Sequence, residues 1–341
     1  MTGKESIIRV LSGEPAERPP VMPIVHTALT RYADVPLGRY FTDADVMADV
    51  IVRGYERFGF DGVQLTLGVA GEVEALGARV DQPPDAGPIV RQHLLAGGAS
   101  LDDLRRIDPA AGGRMPMYQA AVRQVADRIG RHAFVLSTLR GPLNIASQLC
   151  GVENILIDML ERPDYAREIL EFTTDVAIAV SRGSLASGAD GLVFGEATCS
   201  PNFISPAMYL QQVQPCHVRL IAAVKTMGWR FAGLHVCGGI TPILDGLIAT
   251  GVDFLDVDYQ VPVDEAVRLV AGRVAMRGNL NPSALLFLGT PDEVRRETAA
   301  VCRAAAGSRW ILSSGCDIPP GTPAANLAAL VETARTGITT R

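Results

Sequence analysis

The sequence predicts an α/β fold: a (β/α)8 TIM barrel with an N-terminal helical extension and an insertion after its second strand. Three observations predict it. Eight short apolar runs recur along the chain, helical periodicity accompanies them, and polar or thiol side chains collect at the ends of the later runs. Strands alternating with helices imply a parallel sheet, and eight such units are the count of a closed barrel. A doubly wound open sheet is the alternative. No stretch reads as a low-complexity linker, so residues 1–341 are taken as one domain.

Taken in order, Thr2 and Glu5 form a capping box for a short first helix. A proline-rich turn over residues 14–20 leads to the first run, 21–25. An amphipathic helix over 43–58 precedes the second run, 62–67. Residues 68–112 mix proline, glycine and apolar stretches and read as the insertion. A helix over 117–129 precedes the run 133–139, and more than one helix within 143–187 precedes 191–196. Helices over 206–227, 241–250, 263–271 and 291–306 precede the runs 231–237, 254–259, 274–280 and 310–315 in turn. A last helix covers 324–336.

Composition narrows the function. The chain is 48% hydrophobic and 20% charged, which suits an enzyme with a large core. A net charge of −6 and a pI near 5.5 argue against nucleic acid or an anionic membrane as partner. No apolar run reaches the ~18 residues of a membrane span, and the first residues show no signal-peptide pattern. Six cysteines scattered through a long chain point to reduced thiols in the cytoplasm.

The most informative stretch is Phe231-Ala232-Gly233-Leu234-His235-Val236-Cys237-Gly238-Gly239. Strand side chains alternate, so His235 and Cys237 face the same way. Imidazole and thiolate both ligate zinc, and Cys316, closing the 310–315 run, supplies a third ligand of that kind. Three protein ligands with one open position describe a catalytic zinc rather than a structural one. Gly238-Gly239 leave room for a ligand to approach the backbone.

Cysteine is often only a small buried hydrophobe, the reading given to Cys150 and Cys302 in their helices. Cys216 and His217 are adjacent in a helix and diverge, so a shared metal is not expected there. Cys199 and His26 fall near the active end. Barrel enzymes work at the C-terminal ends of their strands. There the sequence places Glu196, His235, Cys237, Asp256 or Asp258, Asn279 and Cys316.

These motifs resemble a known family. His-x-Cys-Gly is followed by Gly278-Asn279-Leu280-Asn281-Pro282, by Gly-Thr-Pro-x-x-Val from Gly289, and by Ser313-Ser314-Gly315-Cys316. That order is similar to the uroporphyrinogen decarboxylase superfamily, in its corrinoid-dependent methyltransferase branch of the methylcobalamin:coenzyme M type. Glu72-Val73-Glu74-Ala75-Leu76-Gly77, Gly141-Pro142 and Ser205-Pro206-Ala207-Met208-Tyr209 resemble the family's loops.

The resemblance implies a methyltransferase that moves a methyl group between a corrinoid and a small-molecule thiol. The corrinoid is methylcobalamin or a corrinoid protein, and coenzyme M or homocysteine are examples of the thiol. It implies zinc on His235, Cys237 and Cys316, with Asp258 as a fourth ligand that leaves when the thiol arrives. Asp256 is the alternative for that place, and either aspartate could instead hydrogen-bond the ligand histidine. Glu196 is expected to orient substrate or a zinc ligand, and Glu72 and Glu74 to line the pocket. Asn279 is expected to contact substrate. Arg140 reads as an anion contact or as a surface salt bridge.

The competing reading is a tetrapyrrole decarboxylase. That branch carries arginines after its first strand, where this chain has Val25-His26-Thr27-Ala28-Leu29. A substrate with many carboxylates needs cationic partners.

Overall fold

The computed structural model describes residues 1–14 and 18–336. Its strands are β1 (Gly62–Thr66), β2 (Val80–Asp81), β3 (Ile89–Val90), β4 (Phe134–Arg140), β5 (Gly191–Gly195), β6 (Ala232–His235), β7 (Phe254–Val257), β8 (Ala275–Leu280) and β9 (Trp310–Ser314). Seven of them form one parallel sheet in the order β1-β4-β5-β6-β7-β8-β9, and β2 and β3 form a small antiparallel hairpin within the insertion.

The first apolar run differs from expectation. Only Val21 bridges β9, in parallel to Leu312. Pro20 and Pro23 flank the pair Val21-Met22 and have no N–H to donate, so a ladder cannot extend. The segment is nevertheless sewn in on both sides. Leu312 N–H donates to the Pro20 carbonyl, Met22 N–H to the Leu312 carbonyl, and Asp61 N–H, at the edge of β1, to the Val21 carbonyl. The Asp61 carboxylate accepts from Val21 N–H at 2.8 Å and takes both ends of the Arg18 guanidinium. Side chains thus supply part of what a regular eighth strand would have supplied through its backbone.

The helices follow their local signals. Thr2 and Glu5 make the expected capping box on helix Gly3–Leu11. Asp43 caps Ala44–Phe58, and Thr290 with Glu293 caps Pro291–Ala304. The 143–187 stretch resolves into Pro142–Cys150, Val152–Glu161 and Pro163–Ala186. The helix expected over 206–227 is interrupted by a π turn, Tyr209–Val213, just before Pro215. Proline has no N–H to carry the α ladder on. The turn expected over 14–20 includes residues 15–17, which lie outside the described residues. No described helix is long and apolar enough to cross a membrane.

Strand alternation divides the residues enclosed by the sheet into two levels. The lower level is apolar: Met22, Phe134, Leu136, Val193, Phe254 and Ile311 pack together with Ile7, Val10 and Leu11 of the first helix. That helix, though short, plugs the base. Gly233 makes room for this layer, since a Cβ there would lie 2.5 Å from the Phe254 ring. The upper level, continuing the same parity, is polar and carries the site.

Ile7 is fully buried in the plug. Ile7→Ala is expected to cost about 2–4 kcal/mol through lost transfer energy and a residual cavity. Urea unfolding measures it, and a cost below about 0.5 kcal/mol would show that the helix stands outside the cooperative core.

Candidate metal centre

Three ligand-type side chains meet at the top of the sheet. The Cys237 Sγ lies 3.4 Å from His235 Nε2 and 3.7 Å from Cys316 Sγ, and Cys316 Sγ lies 3.7 Å from His235 Nε2. Around a tetrahedral zinc with bonds of about 2.3 Å to sulfur and about 2.0 Å to nitrogen, the separations come to about 3.8 Å for sulfur–sulfur and about 3.5 Å for sulfur–nitrogen. The spacing and the donor set both fit such an ion. The His235, Cys237 and Cys316 side chains are all half-buried, so an open face remains toward the cavity.

The other ring nitrogen of His235 is held from behind. Its Nδ1–H donates to Asp256 Oδ2 at 2.9 Å. Asp256 in turn accepts from Arg277 Nε at 2.7 Å and Nη2 at 2.5 Å, and Arg277 Nη1 donates to Gln64 Oε1 at 2.7 Å. Register explains the row, because His235 pairs with Asp256 and Asp256 with Arg277 on adjacent strands. The proton on Nδ1 leaves the Nε2 lone pair for a metal.

Electrostatics follow the contacts. Burial alone would raise the Asp256 carboxyl, but Arg277 and His235 outweigh it and hold it below the usual carboxylate range. Burial pulls His235 down, yet its hydrogen bonds to Asp256 and Cys316 push it up to about 10. The Cys237 thiol is lowered, first by its hydrogen bond with Cys316; burial, Asp258 and Asp317 oppose that shift and Arg140 assists it. The same hydrogen bond, with burial, raises Cys316. Histidine and two sulfurs therefore contend for protons through the lone pairs a cation would take.

The site opens into a cavity of about 440 Å³, within the range of small-molecule pockets. Polar groups on its wall include His26, Gln64, Thr138, Arg140 and Asp317; apolar ones include Phe41, Val193 and Ile318. Arg140 ends β4. Its Nε donates to the Gly68 carbonyl at 2.8 Å and its Nη2 to Thr66 Oγ1 at 3.1 Å. It is therefore a cavity residue and not a surface salt bridge.

Other expected site residues sit elsewhere. Glu196 is fully buried, and its carboxylate accepts from Leu143 N–H at 3.1 Å, Asn144 N–H at 2.8 Å and His217 Nε2 at 2.8 Å. It closes the start of helix Pro142–Cys150 and is turned away from the three ligands, although its backbone N–H donates to the His235 carbonyl. Cys199 joins the Glu196 and His217 cluster, where burial raises its thiol. Glu72 lies behind Arg140, accepting its backbone N–H at 2.8 Å, and burial raises its carboxyl. Glu74 pairs with Arg114 at 2.7 Å. Asn279 Nδ2 donates to the Val261 carbonyl at 2.7 Å and steadies the loop after β7. Asp258 is buried, its Oδ1 accepting from Gln260 N–H at 3.0 Å, and it is not in the three-ligand group.

Sequence reasoning missed Arg277, Gln64 and Asp317. An arginine within the apolar 274–280 run was a usable signal, since a buried arginine needs an acidic partner. Gln64 and Asp317 carried none.

The uroporphyrinogen decarboxylase (URO-D) family profile matches residues 2–337. Methylcobamide:CoM methyltransferase MtbA of Methanosarcina acetivorans is 26% identical over 341 residues, covering 98% of this chain and 98% of its own. Uroporphyrinogen decarboxylase of Prochlorococcus marinus is 24% identical over 345 residues, covering 97% and 96%. Among solved structures, a methyltransferase from Methanosarcina mazei matches with a TM-score of 0.88 at 24% identity, over 98% of this chain and 99% of that one. At that identity the likeness is one of fold.

Removing Arg277 leaves the buried Asp256 carboxylate with His235 as its one side-chain partner among the described residues. Arg277→Met is expected to cost about 3–5 kcal/mol, and the double variant Asp256→Asn/Arg277→Met to recover much of it. Because the Asp256 carboxyl is depressed in the fold, its contribution is present above the ordinary carboxylate range and lost as pH falls through the native value. Urea unfolding of both variants measures the coupling; additive effects would show that the pair is not a unit.

Proposed function

The chain belongs to the uroporphyrinogen decarboxylase family, and on that footing we propose that it is a zinc-dependent methyltransferase acting between a corrinoid and a small thiol. One observation carries the reading: His235, Cys237 and Cys316 stand at zinc-ligand spacing on the wall of a cavity, with one side free. Relatives named methylcobamide:CoM methyltransferase, similar over nearly their whole length, support it. The reading takes residues 1–341 as a single domain, a (β/α)8 barrel whose eighth stave is the Val21 segment. It takes a corrinoid protein as partner and places the enzyme in the cytoplasm. All six cysteines are free, in keeping with that compartment.

His235, Cys237 and Cys316 would hold the zinc. When bound, it lowers the pKa of a thiol at its open position so that the thiolate forms near neutral pH. The protein's own residues do the rest. Asp256 fixes the histidine tautomer, and Arg277 keeps Asp256 ionised. The cavity wall holds the thiol and limits water. In the overall transfer an S–C bond forms and the Co–C bond of the corrinoid breaks. The electron pair stays on cobalt, and the thiol proton leaves through the mouth. Asp258, which lies outside the three-ligand group, is kept as the residue that would complete the site before the thiol arrives. Glu196 contributes by holding the ends of β5 and β6 and the Pro142 helix in place.

A tetrapyrrole decarboxylase fits the cavity poorly. Among the described residues lining it, Arg140 is the one arginine, set against Asp317, while a substrate rich in carboxylates calls for several cations.

The purified protein is expected to hold about one zinc per chain. Cys237→Ser and Cys316→Ser are expected to lose most of that zinc, together with anaerobic methyl transfer from methylcobalamin to thiols, read by the cob(I)alamin spectrum. Full zinc content and transfer in both variants would overturn the ligand assignment. Because the ligands give up protons to bind, zinc affinity is expected to fall as pH is lowered, measured by competition with a chelator.

A further inference from the structure

The cavity carries two opposite charges beside the candidate metal centre, and among the described residues they form no direct ion pair with each other. Arg140 and Asp317 line the same cavity wall as Cys237 and Cys316. Among the described residues, no carboxylate oxygen pairs with the Arg140 guanidinium. Glu72 behind it accepts only the backbone N–H. Two of the guanidinium nitrogens are tied, to Gly68 and Thr66. The third, Nη1, stands over Gly195, where a Cβ would come within 2.3 Å of it. The absence of a side chain at residue 195 is what leaves room for this nitrogen.

Asp317 follows the Cys316 ligand and is 59% exposed at the mouth. Its Oδ1 lies 3.3 Å from His26 Nε2. The His26 Nδ1 accepts the Thr27 N–H at 2.8 Å, so Nε2 is the ring nitrogen that faces Asp317. His26 therefore orients Asp317 through one carboxylate oxygen, and the second has no hydrogen-bond partner among the described residues. Gln64 adds a fixed amide: its Oε1 is taken by Arg277, which turns its Nε2–H toward the cavity.

We propose that the acceptor is an α-amino-acid thiol, its carboxylate on Arg140 and its ammonium on Asp317, with its sulfur at the open face of the His235, Cys237 and Cys316 cluster. This rests on the methyl-transfer reading above and adds the acceptor's class to it. A zwitterion answers both charges at once. A thiol carrying only a sulfonate or carboxylate would meet Arg140 but would leave Asp317 facing an anion. A thiol carrying only an amine would leave Arg140 without a partner. Losing the charged hydrogen bond to Arg140 inside the cavity costs on the order of 10- to 100-fold in binding, and losing the one to Asp317, exposed at the mouth, about 3-fold.

Two measurements test it. The first is anaerobic methyl transfer from methylcobalamin to homocysteine, 3-mercaptopropionate, cysteamine, 2-mercaptoethanesulfonate and 2-mercaptoethanol. The second needs no turnover: calorimetric binding of methionine and of methylthio-propionate to the protein as purified. Homocysteine is expected to exceed the thiols without an anionic group by at least about 10-fold in kcat/KM and 3-mercaptopropionate by about 3-fold, and methionine to bind about 3-fold tighter than methylthio-propionate. Asp317→Asn, a nearly isosteric change at an exposed position, is expected to remove the preference for the ammonium and to favour the sulfonate. Arg140→Lys, which keeps the charge but loses the fork, is expected to weaken carboxylate-bearing thiols about 10-fold.

Transfer to the sulfonate or neutral thiol as fast as to homocysteine overturns the acceptor class and leaves the methyltransferase reading standing. So does an unchanged preference in Asp317→Asn. Transfer to no thiol in the panel overturns both.

Discussion

A single buried ion pair underlies the site. Arg277 and Asp256 lie inside the sheet with almost no solvent contact. Charges so placed persist only when each satisfies the other and their remaining hydrogen bonds are met. Arg277 spends its fork on Asp256 and its last nitrogen on Gln64. Asp256 spends its remaining capacity on His235. The imidazole is thereby locked in one tautomer and one orientation, and the two sulfurs are placed around its free nitrogen. Were the pair absent, His235 would have no reason to face Cys237 and Cys316 in that way.

The levels within the sheet make this possible. Below, an apolar layer sealed by the first helix keeps water from the base of the ion pair. Above, the same strand parity continues into groups that meet the cavity. The transition happens within two residues on each strand: Phe254 is apolar and Asp256 charged, Ala275 apolar and Arg277 charged. Stability and chemistry are therefore stacked along one axis, and a change at either level is felt at the other. Arg140 and Asp317, which carry opposite charges, face the same cavity above this buried pair.

Much was legible without coordinates. Apart from the first run, which is reduced to a single bridge, the apolar runs and helices emerged with shifted ends, because alternation and capping residues are local signals. His235 and Cys237 share a face because the strand period is two. Glu196, Glu72, Glu74 and Asn279 show the limit of that logic. Each sits near a strand end, where a barrel enzyme keeps its polar groups, yet their hydrogen bonds go to a helix start, a backbone N–H, an arginine and a loop carbonyl. Position along a strand says which end a residue occupies, and not what its side chain touches.

By itself the sequence determined the kind of fold, the periodicity of its parts and the three residue types able to hold a metal, since each depends on neighbours within a few positions. Only the tertiary structure decided which aspartate backs His235, that Arg277 stands behind it, and that Asp317 and Arg140 face one cavity. Those facts depend on strand register and loop path, which join residues as far apart as Gln64 and Arg277, 213 positions, or farther. No local pattern encodes a distance of that kind.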